Sequence, residues 1–218
     1  MPTKRTHLRL FALLGLAATL LVGTGEFLLH FSAEGYGGSE PFGYLTQVST
    51  SRITWGHFLL VAGLPLYFAG YWFIYQTLGR SRWALAVLVT AVVSFTTGGI
   101  WVTSRAMLVK IVQARAAAAD PVPLDGLLSF YEGHYEILVQ VLRVLILLLS
   151  FFWVMAVLKG KTIYPKWMAA ASPIVLLVLV FLSYLLVPAF GKYLVPTAMN
   201  AAHLAFFGLA FYHFSRQR

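Results

Sequence analysis

The chain has 218 residues, of which 60% are hydrophobic and only 11% charged, far below the roughly 25% charged residues of a soluble domain. That balance excludes an ordinary water-soluble domain and marks an integral membrane protein. The absence of cysteine excludes disulfides, thiolate metal sites and cysteine nucleophiles; the formal charge of +9 is scattered between apolar runs rather than gathered in a patch, which argues against a nucleic-acid partner.

Six apolar segments approach the roughly 20 residues that cross a hydrocarbon core about 30 Å thick. They cover 9–31, 53–78, 83–108, 127–158, 167–188 and 195–215, and predict an all-α, six-helix transmembrane bundle forming one domain over 1–218. The first begins like a signal peptide, but its apolar run continues past residue 24 without an A-x-A-like site, so it is expected to remain as a helix. Within it Thr19, Gly23, Glu26 and His30 share a face. Residues 32–52, rich in Gly, Ser and aromatics, read as an outer cap.

The second segment carries His57 just inside its outer end, a kink-inducing Pro65, and the Tyr67, Tyr71, Tyr75 stripe, which we assign with Trp55, Trp83, Trp101 and Trp167 to interfacial aromatic belts. In the third, Thr90, Ser94, Thr97, Trp101 and Ser104 line one face that ends at Arg105. The following "VQARAAAADPVPLDG" reads as a long outer connection whose proline pair ends any helix. The fourth bears Glu132, Glu136, Gln140 and Arg143 at steps of four, four and three, a polar stripe expected to face the bundle interior or a wet cavity; His134 points away from it toward solvent or headgroups. "GKTIYPKW" lacks the upstream glycine of a phosphate loop. The sixth segment places Asn200 and His203 among small residues.

Lys and Arg set the orientation. Lys4, Arg5, Arg9, Arg80, Arg82, Lys159, Lys161, Lys166, Arg216 and Arg218 collect on one side, which predicts cytoplasmic termini in a bacterial-type inner (plasma) membrane. Glu26, Glu34, Glu40, Asp120, Asp125, Glu132 and Glu136, all the acidic residues, fall toward the other side, where function is expected.

Counting about 1.5 Å per residue from Arg9 and Arg216 brings Glu26, Asn200 and His203 to overlapping depths, with His30, His57 and Arg105 nearer the outer edge. Carboxylate and imidazole at i, i+4, joined by histidines from other helices, suit a divalent metal: zinc first, iron next. The expectation is therefore a metal-dependent membrane hydrolase acting on a lipid or other hydrophobic substrate. Glu26, His30, His57 and His203 are its metal ligands, Glu136 its general base, and Arg105 and Asn200 its anchors for an anionic or carbonyl group. Three alternatives stand beside it: a small proton-coupled transporter or channel with the Glu132, Glu136, Gln140, Arg143 stripe as its path, a haem-binding electron carrier using two of the same histidines, or an internal network with Glu26 paired to Arg105 or Arg143 and the histidines bonded to hydroxyls or backbone.

Overall fold

A computed structural model describes residues 4–33 and 42–217, and among them every regular element is helical. Glu34, Glu40 and Arg218 lie outside the described residues, as does the stretch 34–41 of the expected outer cap. In chain order the helices are α1 (Lys4–His30), α2 (Thr50–Thr77), α3 (Arg82–Thr103), α4 (Arg105–Ala117), α5 (Val122–Lys159), α6 (Pro173–Leu186), α7 (Pro188–Leu194) and α8 (Ala198–Arg216). Short 3-10 turns occupy Gly43–Gln47, Lys166–Ala170 and Val195–Thr197. Five helical stretches are long and apolar enough to cross a membrane, taking α3 with α4 and α7 with α8 as continuous; α6 is shorter.

Small residues bring α1 and α2 together. A Cβ on Gly15 would stand 2.7 Å from Gly70 Cα, and one on Gly25 would stand 2.7 Å from the Gly56 carbonyl. Such close backbone approach is how membrane helices gain contact where lipid removes the hydrophobic drive between them. Arg52 fastens the same pair, donating from Nε to Leu28 O at 2.9 Å and from Nη2 to Phe31 O at 2.6 Å, carbonyls that the end of α1 leaves free.

Both termini meet at one end, where Arg5 Nη2 donates to Ser215 O at 3.4 Å and also bonds Gln217 O, while Gln217 Nε2 donates to Ile163 O at 2.9 Å. The α2–α3 turn lies there too. Gly79 takes φ 76°, and a Cβ on it would fall 2.0 Å from Lys161 O, so the position requires glycine twice over. We call this the terminal end and the other the far end.

Three boundaries differ from expectation. The third segment does not stop at 108: after a single-residue break at Ser104 it continues as α4 to Ala117, because "ARAAAA" is strongly helix-forming. The proline pair therefore starts α5 rather than ending a helix, with Pro123 in the first turn where a missing N–H costs nothing, and the connection shrinks to 118–121. The expected fifth span, 167–188, shortens to the 14 residues of α6, since Pro173 opens it and Pro188 disfavours helical geometry at Val187. At about 21 Å it falls short of the hydrocarbon thickness, and α7 folds back on it with Gly191 against the Tyr184 backbone.

Candidate functional site

A cavity of about 450 Å³ lies between α1, α3, α5, α6 and α8. Val139, Leu142, Ile146 and Leu149 recur at helical spacing along α5 and supply one apolar wall; Leu177 and Phe181 of α6 supply another. Near the terminal end α5 and α6 are tied by Ile174 N–H donating to Ser150 Oγ at 2.9 Å. Farther along, Arg143 and Phe181 border the cavity with 63% of the side chain and 46% of the residue exposed respectively, so it opens sideways between these two helices. Toward the terminal end Trp153, Phe206 and Phe207 are fully buried; Trp153 meets Phe206 edge-on at 4.7 Å and Tyr71 meets Phe207 at 5.3 Å. These rings, one turn beyond Leu149 and His203 of the lining, pack beneath it as a floor.

Glu26, His30, Arg105, Asn200 and His203 all line the cavity. Asn200 Nδ2 donates to Glu26 Oε2 at 2.5 Å, and its Oδ1 accepts from the Tyr67 hydroxyl at 2.5 Å. His203 Nδ1 donates to the Met199 carbonyl at 2.8 Å, which leaves Nε2 to accept from the Tyr71 hydroxyl at 2.8 Å. The same logic fixes His30: its Nδ1 donates to Pro196 O at 3.3 Å, so Nε2 accepts from Arg105 Nε at 2.8 Å. Both imidazoles have both nitrogens engaged. Phe95 wedges the cluster, stacked on Tyr67 at 3.8 Å and met edge-on by His203 at 5.1 Å.

Local chain geometry delivers these groups. Ser104 Oγ donates to Trp101 O at 2.7 Å and bonds the Tyr131 hydroxyl at 2.8 Å, holding the α3–α4 break beside which Arg105 turns into the cavity. The turn Val195–Thr197 brings the Pro196 carbonyl to His30. Gly23 allows α8 close to α1, since a Cβ there would lie 3.1 Å from Asn200 Cβ.

Two expected members stand elsewhere. His57 is half-buried on α2, outside the cavity lining, meeting Phe58 edge-on at 5.5 Å. Glu136 is exposed, accepting from Gln140 Nε2 at 2.5 Å and lying 3.9 Å from Arg143 Nη1. The polar stripe of α5 does share a face, but the apolar row from Val139 to Leu149 takes the cavity side and turns Glu136 and Gln140 to the flank; only Arg143 reaches the lining. Among the described residues no three His, Asp or Glu side chains stand close enough to share a metal ion, so the four expected ligands do not form one group. Nor does Glu26 form an ion pair with Arg105 or Arg143 among the described residues.

Tyr67 and Tyr71, assigned from sequence to an interfacial belt, are completely buried partners of the site. Depth was the available signal: Tyr67 lies 13 residues before Arg80, about 20 Å into the membrane and too deep for a belt.

Fold and cavity together define an all-helical integral membrane protein with a side-opening cavity that is apolar along its walls and hydrogen-bonded at its far side. The chain belongs to the family of unknown function DUF6796, whose model matches residues 1–217. No curated protein and no solved structure matches it.

Proposed function

We propose that the protein takes a lipid or other hydrophobic amphiphile from the membrane into this cavity and holds its polar head against Arg105, His30, Glu26 and Asn200. The carrying observation is the division of the cavity: apolar walls reaching a lateral opening, and donors and acceptors gathered from α1, α4 and α8. Its volume falls within the usual range of small-molecule sites, roughly 300–1,000 Å³. The excess of Lys and Arg at the terminal end supports a cytoplasmic position for that end, with the polar head received from the outer leaflet.

The ring floor favours a pocket over a transport path, since a proton or solute would have to pass Trp153, Phe206 and Phe207. A metal-dependent hydrolase remains the enzymatic form of the proposal. It requires His30 and His203 to release Arg105 and Tyr71, and sets a divalent cation beside a guanidinium. Simple amphiphile binding requires neither, and so ranks first; haem ligation by the same two histidines ranks lower for the same reason.

Gly98 offers a clean test. It faces the cavity, and a Cβ there meets only Leu142 Cδ2, at 3.6 Å, so a phenylalanine has room to enter and plug the space. Native mass spectrometry of protein released from membranes is expected to show one retained amphiphile on the wild type and none on Gly98→Phe, with no stoichiometric metal by elemental analysis. Equal lipid retention by both proteins contradicts the proposal, and a stoichiometric metal reinstates the hydrolase.

A further inference from the structure

Arg105 is 6% exposed, yet among the described residues no counter-charge is in contact with it. Its Nε donates to His30 Nε2 and its Nη2 reaches the Tyr44 hydroxyl at 3.4 Å, a long bond, while Nη1 is buried without a hydrogen-bond partner among the described residues. The guanidinium carbon lies 5.5 Å from the Phe42 ring centroid, 5.8 Å from that of Trp101 and 4.9 Å from that of Tyr135. Among the described residues no carboxylate lies within ion-pair distance, and Glu26 on the same cavity accepts from Asn200 instead. Arginine does not deprotonate in proteins, and a buried charge without an anion is costly, most of all at membrane depth. Facing rings offset part of that cost and leave the Nη1 donors unsatisfied.

We infer that Arg105 is the seat of an anionic head group, a phosphate or carboxylate, on the amphiphile that occupies the cavity; this rests on the proposal of the preceding subsection. Phosphate and carboxylate match the planar fork of a guanidinium, and two oxygens can take Nη1 and Nη2 together. His30 is the positioning residue: by occupying Nε it leaves Nη1, and Nη2 beyond its long bond to Tyr44, for the ligand. Arg143, on the same lining at the lateral opening and only loosely paired with Glu136 at 3.9 Å, places a second positive charge along the way in. The inferred ligand is therefore an anionic amphiphile rather than a zwitterionic or neutral one.

The full chain in nanodiscs of equal parts phosphatidylglycerol and phosphatidylcholine with identical acyl chains, read by native mass spectrometry, tests this. Wild type should retain the anionic lipid at least about tenfold over the zwitterionic one. Arg105→Gln should still carry lipid but without preference, and Arg105→Lys should keep part of it. Equal retention of the two lipids by wild type, or a preference unchanged in Arg105→Gln, overturns the inference. Should Arg105→Gln fail to fold, the wild-type ratio and the lysine variant decide alone. Millimolar inorganic phosphate should not displace the lipid; full displacement would make this a free-anion site and overturn the amphiphile. Lipid retention by wild type that Gly98→Phe leaves unchanged contradicts the cavity reading itself rather than the charge of its ligand.

Discussion

Tyr67, Asn200 and Glu26 form a chain in which each polar atom is buried and each bond is short, so removing one member strands its neighbour. Tyr67→Phe leaves Asn200 Oδ1 without its donor and is expected to destabilise the protein by about 1 kcal/mol, as interhelical hydrogen bonds in membranes typically do. A double-mutant cycle of Tyr67→Phe with Asn200→Ala, followed by unfolding in detergent, should return a coupling energy of that order; strict additivity would mean the contact contributes nothing. Counting residues gives depth along a helix, which is why Glu26, Asn200 and His203 were legible as neighbours from sequence. It does not give azimuth relative to other helices. That is why His57, at the right depth, stands outside the cavity lining, and why Glu136, on a correctly read polar face, looks away from the cavity.

At the scale of helices, packing between α1 and α2 depends on absent side chains. Gly15→Leu drives atoms into the Gly70 backbone and should cost about 1–3 kcal/mol or prevent assembly, whereas Gly208→Ala, whose Cβ meets nothing within 4 Å, should stabilise α8 by about 0.5–1 kcal/mol. Thermal unfolding of the two variants against wild type checks the contrast. Beyond the terminal end of α2, Tyr164 sits buried in the connection between α5 and α6, its hydroxyl 2.7 Å from Thr77 Oγ1. Burial raises this phenol above its ordinary value of 10. The folded protein thus holds the proton more tightly than the unfolded chain, so the contribution is full below pH 10 and is lost as pH rises beyond it. Tyr164→Phe should flatten the alkaline fall in stability seen in a pH series of unfolding curves. The helices themselves were mostly legible in sequence because apolar length is a strong signal. The exceptions, α4, the start of α5 and the short α6, turn on alanine and proline positions inside or beside apolar runs, where local propensity overrules hydropathy.

Across the whole molecule, the basic terminal end and the cavity at mid-depth and above give one polarity to the bundle. The natural lack of cysteine makes that polarity directly measurable, because a single introduced thiol reports without background. A membrane-impermeant maleimide should label Gln47→Cys in intact cells and Gln217→Cys only after permeabilisation; the reverse pattern would invert the orientation and send the ligand to the inner leaflet. An electron cryo-microscopy structure of the protein in lipid nanodiscs shows whether an amphiphile from the membrane fills the space between α1, α3, α5, α6 and α8. Continuous chain-like density is expected to enter past Phe181 and Arg143 and end in a head group at Arg105. Walls collapsed onto one another, with lipid only on the outer faces of the helices, would contradict it.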